Sequence, residues 1–230
     1  PQHTAAEEGR PALVPVGKAI GVKLFADGVL VTALSEDGGA PAKKSGVRSG
    51  DFIVTFNHTA IESSEHLQTL LEENGAERVT LGIRREGRWM QLSAVPEKGE
   101  DGVYRLGAWI RDSMAGIGTV TFYEPQTGRF AALGHGITDV DTGKLMPLAR
   151  GSVMPASVKA VKRGEKGAPG ELRGEFDLQH DLGTLYANTE CGIFGTLNTG
   201  NGLAIKGEAI PAARRDEIHT GVAVILAKCA

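Results

Sequence analysis

The chain has 230 residues, of which 41% are hydrophobic and 5% aromatic, and its formal net charge is −3 at pH 7. This length suits one large domain or two small ones. The weak negative charge excludes the broad basic surface of a nucleic-acid-binding protein, so no nucleic-acid partner is expected. No run of about 18 apolar residues is present, which predicts no transmembrane helix. The 32 glycines fall mostly between short apolar runs, a pattern that favours a turn-rich β protein.

The start of the chain and its two cysteines give weaker indications. Residues 1–11 are polar and begin without Met, which predicts a disordered lead at the cut edge of a longer protein. Cys191 and Cys229 match no zinc or redox spacing, and the sequence leaves open whether they form a disulfide. Neither a metal nor another cofactor is expected.

Residues 12–97 predict one folded unit built mainly of short strands. The first two strands, at 20–24 and 28–32, are expected to be joined by a turn at Asp27-Gly28. A short helical turn, a strand and a closing hairpin are predicted at 41–46, 51–56 and 78–95.

A helix is predicted inside this unit, from the capping serines at 63–64 to about Asn74. Ser accepts backbone hydrogen bonds at a helix start, and Gly75 is placed to end the helix. Leu67 and Leu71 have the spacing of one apolar helix face, which is expected to meet a core or a groove.

Residues 98–103 are charged and glycine-rich, and they predict a linker to a second domain at 104–230. That domain contains short β-like runs separated by turn signals and no long helix, which is typical of a β-barrel or sandwich. The predicted runs are 106–110, 118–123, 130–134, 153–161, 192–197, 202–209 and 221–227.

The run Gly-Val-Arg-Ser-Gly-Asp-Phe-Ile at 46–53 resembles the signature of bacterial PDZ domains. By this resemblance, Ile20, Gly21 and Val22 form the loop that binds a peptide carboxylate, although Ala19 replaces its usual first glycine. In such a loop the backbone N–H groups cradle the carboxylate, and the strand beside it accepts an added strand. Ile20 and Val22 would then line one wall of a groove.

The predicted helix would form the other wall through Leu67 and Leu71. The occupant of the groove is left open between the C-terminus of a peptide and a segment of the chain itself.

His135 stands between two glycines after an apolar run, an arrangement in which a general base is often presented. The runs 109–123 and 130–143 resemble the stage IV sporulation protein B family, and 166–171 and 191–195 also fit it. This family implies a PDZ domain followed by a chymotrypsin-like peptidase domain. The expected fold is therefore mainly β, with a PDZ domain at 12–97 and an incomplete trypsin-like double β-barrel at 104–230.

The resemblance also implies a function. Members of the family are secreted serine endopeptidases of endospore-forming, Gram-positive bacteria, and the full-length proteins carry a membrane anchor. They act in the space between the two forespore membranes, where they cleave a regulatory subunit of a membrane-embedded protease. This proteolytic signal leads to activation of a late sigma factor. The expected partner is therefore a protein substrate associated with a membrane protease complex.

His135 aligns with the catalytic histidine of that family, and its implied role is to take the proton of the serine hydroxyl. The family's nucleophilic serine lies in a Gly-x-Ser-Gly-x-Pro segment, and no serine of this sequence does. We therefore expect the 230-residue chain to be inactive by itself. A truncated chain, a separate piece and a natural short form all remain open. The alternative function is that of a non-enzymatic interaction or scaffold protein with a PDZ domain.

Asp139 and Asp141 follow the histidine closely and allow several interpretations. They have the chemistry to orient the imidazole or to bind a cation with His135. The preferred interpretation is a turn after the strand, closed by Gly143.

Overall fold

The computed structural model describes residues 9–36, 40–168, 170–198, 203 and 205–227. Contacts divide the chain into two compact units, which we name the helical unit and the strand unit. The helical unit comprises Phe25–Met114 and Thr138–Ala149, and the strand unit comprises the residues up to Leu24, Ala115–Ile137 and those from Arg150 onwards. The units are interleaved along the chain, whereas the sequence analysis divided it into consecutive ranges; those ranges stay a prediction.

The helical unit is a small sheet with two helices. Its sheet follows the order β8-β1-β2-β4-β5, with β3 paired to β2, and β6 and β7 form a separate hairpin. The elements that contribute are β1 (Ala12–Leu34), α1 (Pro41–Lys44), β2 (Phe52–Phe56), β3 (Thr59–Ala60), α2 (Ser64–Asn74), β4 (Val79–Arg85), β5 (Arg88–Ala94), β6 (Glu97–Lys98), β7 (Tyr104–Arg105) and β8 (Ala108–Tyr123). The predicted linker, residues 98–103, lies within the β6–β7 hairpin.

Helix α2 confirms the predicted helix and both of its end signals. The Ser63 side chain accepts a hydrogen bond from the backbone N–H of His66 at 3.0 Å, and Gly75 ends the helix with φ of 62°. Leu67 and Leu71 are buried and belong to the apolar core of this unit. The helix therefore forms because its ends are capped and one of its faces is apolar.

The predicted hairpin at the start of the chain is wrong. Residues 20–24 and 28–32 lie in the single strand β1, which continues through Asp27-Gly28. At Gly28 an added Cβ would come closer than 3.0 Å to the carbonyl oxygen of Ile53 and to Cα of Val54. Glycine is needed here because β2 approaches β1 closely, and not because the chain turns.

The Gly-Val-Arg-Ser-Gly-Asp run folds around a buried ion pair. Asp51 is 1% exposed, and its carboxylate accepts two hydrogen bonds from the guanidinium of Arg85, both at 2.7 Å. It also accepts one from the backbone N–H of Arg48 at 2.8 Å. Gly46 and Gly50 have φ of 88° and 86°, in the left-handed region that glycine adopts without strain. The signature thus combines two turn glycines with a buried carboxylate, which is paired with a guanidinium and a backbone N–H.

The strand unit is built almost entirely from β-strands. Its elements, besides the first part of β1 and the second part of β8, are β9 (Arg129–Ala132), β10 (Arg150–Lys162), β11 (Glu171–Phe176), β12 (Gly183–Thr189), β13 (Gly192–Leu197), β14 (Ile210–Pro211) and a 3-10 turn at Arg215–Glu217. The pairings run β1-β10-β12-β13-β9-β8 and return to β1, so six strands form a closed circuit. Strand β11 pairs with β10, and β14 pairs with β1.

The structure confirms the mainly β fold class and most of the predicted strands. The runs at 118–123, 130–134, 153–161 and 192–197 correspond to β8, β9, β10 and β13. The run at 221–227 is not a strand, and neither are residues 203 and 205–209; the rest of the 202–209 run lies outside the described residues. Strands β11 and β12 were missed.

The predictions of a disordered lead and of an open cysteine pairing are only partly covered by the described residues. Residues 1–8 of the expected disordered lead lie outside the described residues, whereas Arg10 forms an ion pair with Glu217 at 2.8 Å. Cys191 is exposed and free, and Cys229 lies outside the described residues. Across the described part of the chain, no helix has the length and apolar character needed to cross a membrane.

Two adjacent arginines provide a test of the buried ion pair. Replacing Arg85 by Met leaves the Asp51 carboxylate buried without its cation, and we expect the free energy of unfolding to fall by about 3–5 kcal/mol. Arg84 is the matched control, because its pair with Asp27 spans 3.3 Å at the surface. The change Arg84→Met should cost less than about 1 kcal/mol. Urea denaturation of the two variants measures both effects, and equal losses would contradict the role given to Asp51.

Candidate active-site loop and peptide groove

His135 lies just beyond the end of β9, and its side chain is exposed. Phe130, Ala131 and Ala132 of that strand are buried, and the strand pairs with β13 on one side and β8 on the other. After Ala132 the chain turns through two left-handed residues, Leu133 with φ of 73° and Gly134 with φ of 79°. A buried, doubly paired strand thus presents the imidazole to solvent, as the apolar run predicts.

The hydrogen bonding of the imidazole determines which of its nitrogens can accept a proton. Nδ1 of His135 lies 3.0 Å from the carbonyl oxygen of Gly136. Because a carbonyl oxygen only accepts, this contact is a hydrogen bond only in the tautomer with the proton on Nδ1. In that tautomer Nε2 carries the free lone pair, which is the form that a general base requires.

Asp139 and Asp141 form the predicted turn. The Asp139 carboxylate accepts hydrogen bonds from the backbone N–H and the hydroxyl of Thr142, both at 2.9 Å. The backbone N–H of Gly143 donates to the carbonyl oxygen of Asp139 at 2.8 Å and closes the turn. Among the described residues, no three His, Cys, Asp or Glu side chains come together as metal ligands, so the cation interpretation gains no support.

Arg111 holds this turn, and the sequence analysis did not identify it. Its guanidinium donates one hydrogen bond to Asp139, which is fully buried, and pairs with Asp141 at 3.1 Å. Burial alone would raise the pKa of Asp139, but the bonds from Thr142 and the charge of Arg111 outweigh it, so the pKa lies below its usual range. The contact joins residues 28 positions apart, and no local pattern signals it.

A groove lies beside α2 and encloses a cavity of about 390 Å³. Leu67 and Leu71 line it from the helix, and residues 105–110 line it from the opposite side. The segment at 105–110 thus faces α2 directly, and the groove wall predicted at Ile20 and Val22 stays a prediction.

Ile20, Gly21 and Val22 lie in the strand unit and are buried in β1. An added Cβ at Gly21 would come closer than 3.0 Å to side-chain atoms of Met154 and Phe176. Their packing explains why small and apolar residues occur there, and their part in binding a peptide stays a prediction.

The model of the family SpoIVB peptidase S55 matches residues 102–230, more than half of the chain. The chain belongs to the SpoIVB peptidase family. A PDZ domain model matches residues 34–85, within the helical unit. The peptidase family match spans His135, its turn and Arg111, so these residues belong to the protease part of the sequence.

Comparison with solved structures gives a more distant likeness. The crystal structure of the PDZ domain of the SdrC-like protein from Listeria monocytogenes is 20% identical, with a TM-score of 0.33. The likeness covers 36% of this chain and 87% of that one. No curated protein matches the chain.

The Arg111–Asp139 pair is expected to make a pH-dependent contribution to the free energy of unfolding, which a variant can reveal. At neutral pH, Arg111→Met leaves a buried carboxylate without its cation and should lower the free energy of unfolding by about 2–3 kcal/mol. This is below the range for fully buried pairs because Arg111 is 34% exposed. Asp139 has a lowered pKa in the folded state. The stabilisation is therefore present above the ordinary Asp pKa and is lost as the pH falls through the lowered value.

The difference between wild type and Arg111→Met should accordingly shrink when denaturation is measured at pH 3 instead of pH 7. Arg173→Met is the control, because Arg173 pairs with Glu171 at the surface, and it should change little at either pH. A constant difference for Arg111→Met across this range would contradict the pairing.

Proposed function

We propose that the protein is the histidine-bearing part of a serine endopeptidase in which His135 is the general base. The observation that carries this proposal is the exposed imidazole at the end of buried strand β9, inside the segment matched by the peptidase family. His135 takes the proton of a serine hydroxyl at Nε2 as the oxygen attacks the scissile carbonyl carbon. It later gives that proton to the leaving amine, which completes acylation of the serine.

The serine itself is the missing element of this mechanism. No serine of the 230 residues lies in a Gly-x-Ser-Gly-x-Pro segment, the setting that the family resemblance implies for the nucleophile. We propose that the serine and the acidic residue that orients His135 come from sequence outside these residues. In the assembled site, a carboxylate at Nδ1 would replace the Gly136 carbonyl as the partner of that nitrogen.

The substrate and the compartment also follow from the family resemblance. We propose a regulatory subunit of a membrane-embedded protease as the substrate, cleaved in the space between the forespore membranes. Cleavage there serves as the signal for late sigma-factor activation. The PDZ domain supports a role in recognising proteins or peptides, since domains of this kind bind extended segments by strand addition.

The groove beside α2 already contains a segment of its own chain, residues 104–112. Leu106 is 4% exposed and packs in the same core as Leu67 and Leu71. Its carbonyl accepts from the backbone N–H of Ala42 at 2.8 Å. The carbonyl of the next residue, Gly107, accepts from the backbone N–H of Ser35 at 2.9 Å.

Polar contacts to the helix fix both ends of this segment. At one end Tyr104 donates its N–H to the Glu72 carboxylate at 3.1 Å, and at the other the Asp112 carboxylate accepts from the N–H of Ser64 at 2.7 Å. Of the two occupants left open by the sequence, these contacts favour the chain itself. An external peptide must therefore displace residues 104–112 before it binds, which weakens its apparent affinity.

Labelling tests whether the 230-residue chain is inactive by itself. A serine-reactive fluorophosphonate should leave it unlabelled, because no serine of the sequence lies in a Gly-x-Ser-Gly-x-Pro segment, whose glycines would build the oxyanion hole. In a longer form that carries the nucleophile, His135→Ala should lower kcat by a factor of about 10⁴ or more. His219→Ala, which removes an exposed histidine of the same unit, is the control.

Labelling of the short chain would contradict its proposed inactivity, and full cleavage by His135→Ala would remove the mechanism. A longer form that is never labelled and never cleaves would favour the scaffold alternative.

A synthetic peptide with the sequence of residues 104–112 tests the occupied groove. The wild type should not bind it measurably, because its own segment fills the groove. Leu106→Ala weakens that segment, and binding in trans should become at least about tenfold tighter. Leu178→Ala is the matched control, because Leu178 is 63% exposed, and it should behave as wild type.

Fluorescence anisotropy of the labelled peptide measures the affinity, and near-UV circular dichroism checks that each variant is folded. If Leu106→Ala unfolds, Asp112→Ala, which removes the contact to Ser64 and leaves the apolar core intact, takes its place. Equal affinity for wild type and folded variants would contradict the proposal.

A further inference from the structure

The loop that carries His135 is held at its far end by a side chain outside the histidine motif. Asn188 lies on β12, partly buried, and faces the backbone of Ile137. Its Oδ1 accepts a hydrogen bond from the N–H of Ile137 at 2.8 Å, and its Nδ2 donates to the carbonyl oxygen of Ile137 at 2.9 Å. One amide side chain thus satisfies both polar groups of one residue, as a neighbouring strand would do.

The near end of the same loop is held by the sheet. Strand β9 ends at Ala132, which pairs with Ile193 of β13, and Ile193 in turn pairs with Asn188. Asn188 therefore stands in the same row of the sheet as the residue from which the loop departs. Only four residues, 133–136, separate the paired Ala132 from the clamped Ile137, and His135 is one of them.

Two close approaches leave this loop little freedom at its start. An added Cβ at Gly118 would come closer than 3.0 Å to Cδ2 of Leu133, so the Leu133 side chain packs directly on the backbone of β8. An added Cβ at Gly192, the first residue of β13, would come within 2.9 Å of the Ala132 carbonyl oxygen. The residues before His135 are therefore fixed by packing, whereas the residues after it depend on the Asn188 amide.

We propose that Asn188 is a positioning residue for His135: by clamping Ile137 it fixes the loop so that the imidazole is held where a general base must act. The inference rests on the proposed function, because it assigns Asn188 a role in the chemistry of His135. The two hydrogen bonds from Asn188 reach the loop at the backbone of Ile137, two residues from the imidazole. A base displaced by about 1 Å can cost about a hundredfold in rate, so a clamp two residues away matters.

Nuclear magnetic resonance of the 230-residue chain tests the clamp directly. In the wild type, we expect the backbone order parameters of residues 134–137 to be near the value of about 0.85 for rigid backbone, and in Asn188→Ala below about 0.6. Hydrogen exchange at the Ile137 amide should accelerate at least about tenfold. Asn198→Ala is the matched control, because that amide donates to the carbonyl of Asp181 and should leave the loop unchanged.

Asn188→Asp tests whether both hydrogen bonds to Ile137 are needed for the clamp. Its ionised carboxylate keeps the bond from the Ile137 N–H but repels the Ile137 carbonyl, so the loop should be mobile at pH 7. A protonated carboxyl has one donor and one acceptor and imitates the amide. Loop order should therefore return as the pH falls through the ordinary Asp pKa of about 3.9.

Kinetics in a form that carries the nucleophile completes the test. Asn188→Ala should lower kcat about 10- to 100-fold and leave KM within about twofold, because substrate contacts are unchanged. Unchanged loop order in Asn188→Ala, or a loss confined to KM, would overturn the inference while leaving the role of His135 intact. Full activity of His135→Ala would instead overturn the proposed function, and the order parameters distinguish the two failures.

Discussion

The buried carboxylate of Asp139 is the constraint on which the turn at residues 139–143 depends. A charge with no exposed surface is costly unless it is paired and hydrogen-bonded throughout. Arg111 supplies the charge, and Thr142 supplies two hydrogen bonds, so the turn that follows His135 has one low-energy conformation. The same residue type at Asp51 does the same for the PDZ signature through Arg85. In both motifs, a buried acidic residue holds a turn in shape.

The sequence predicted local structure well wherever end signals and apolar spacing agreed. Helix α2 has its cap at Ser63 and its terminating Gly75 as predicted, and β13 has the predicted bounds. The prediction of strands failed where a glycine can serve either a turn or a close approach between strands. Gly28 was interpreted as a turn residue, but it permits close approach of β2 inside a long strand. Strand β11 was missed because its alternation places charged residues on an exposed surface and lacks an apolar run.

The candidate site shows the same division between local and distant information. The position of His135 at the end of a strand could be predicted, because the apolar run and its flanking glycines are contiguous in sequence. The partners of the loop could not, since Arg111 and Asn188 reach it across 28 and 51 positions. Neither residue type signals such a role by itself. Nothing in the sequence indicated residues 105–110 as neighbours of α2, since that contact joins segments more than 30 positions apart.

Occupation of the groove by residues 104–112 has an energetic consequence for any competing peptide. Leu106 in the groove and Arg111 on the Asp139 turn are five residues apart in sequence. Strand β8, which begins at Ala108, pairs with β1, and Asp112 accepts a hydrogen bond from the start of α2. A peptide that displaces residues 104–112 removes the burial of Leu106 and works against the Arg111 ion pair as well. Strand addition by an outside ligand must therefore compete with an apolar anchor, a strand pairing and a buried charge pair together. A ligand that supplies only backbone hydrogen bonds replaces those of the displaced strand pairing. It does not compensate for the lost burial of Leu106 or for the disturbed Arg111 ion pair.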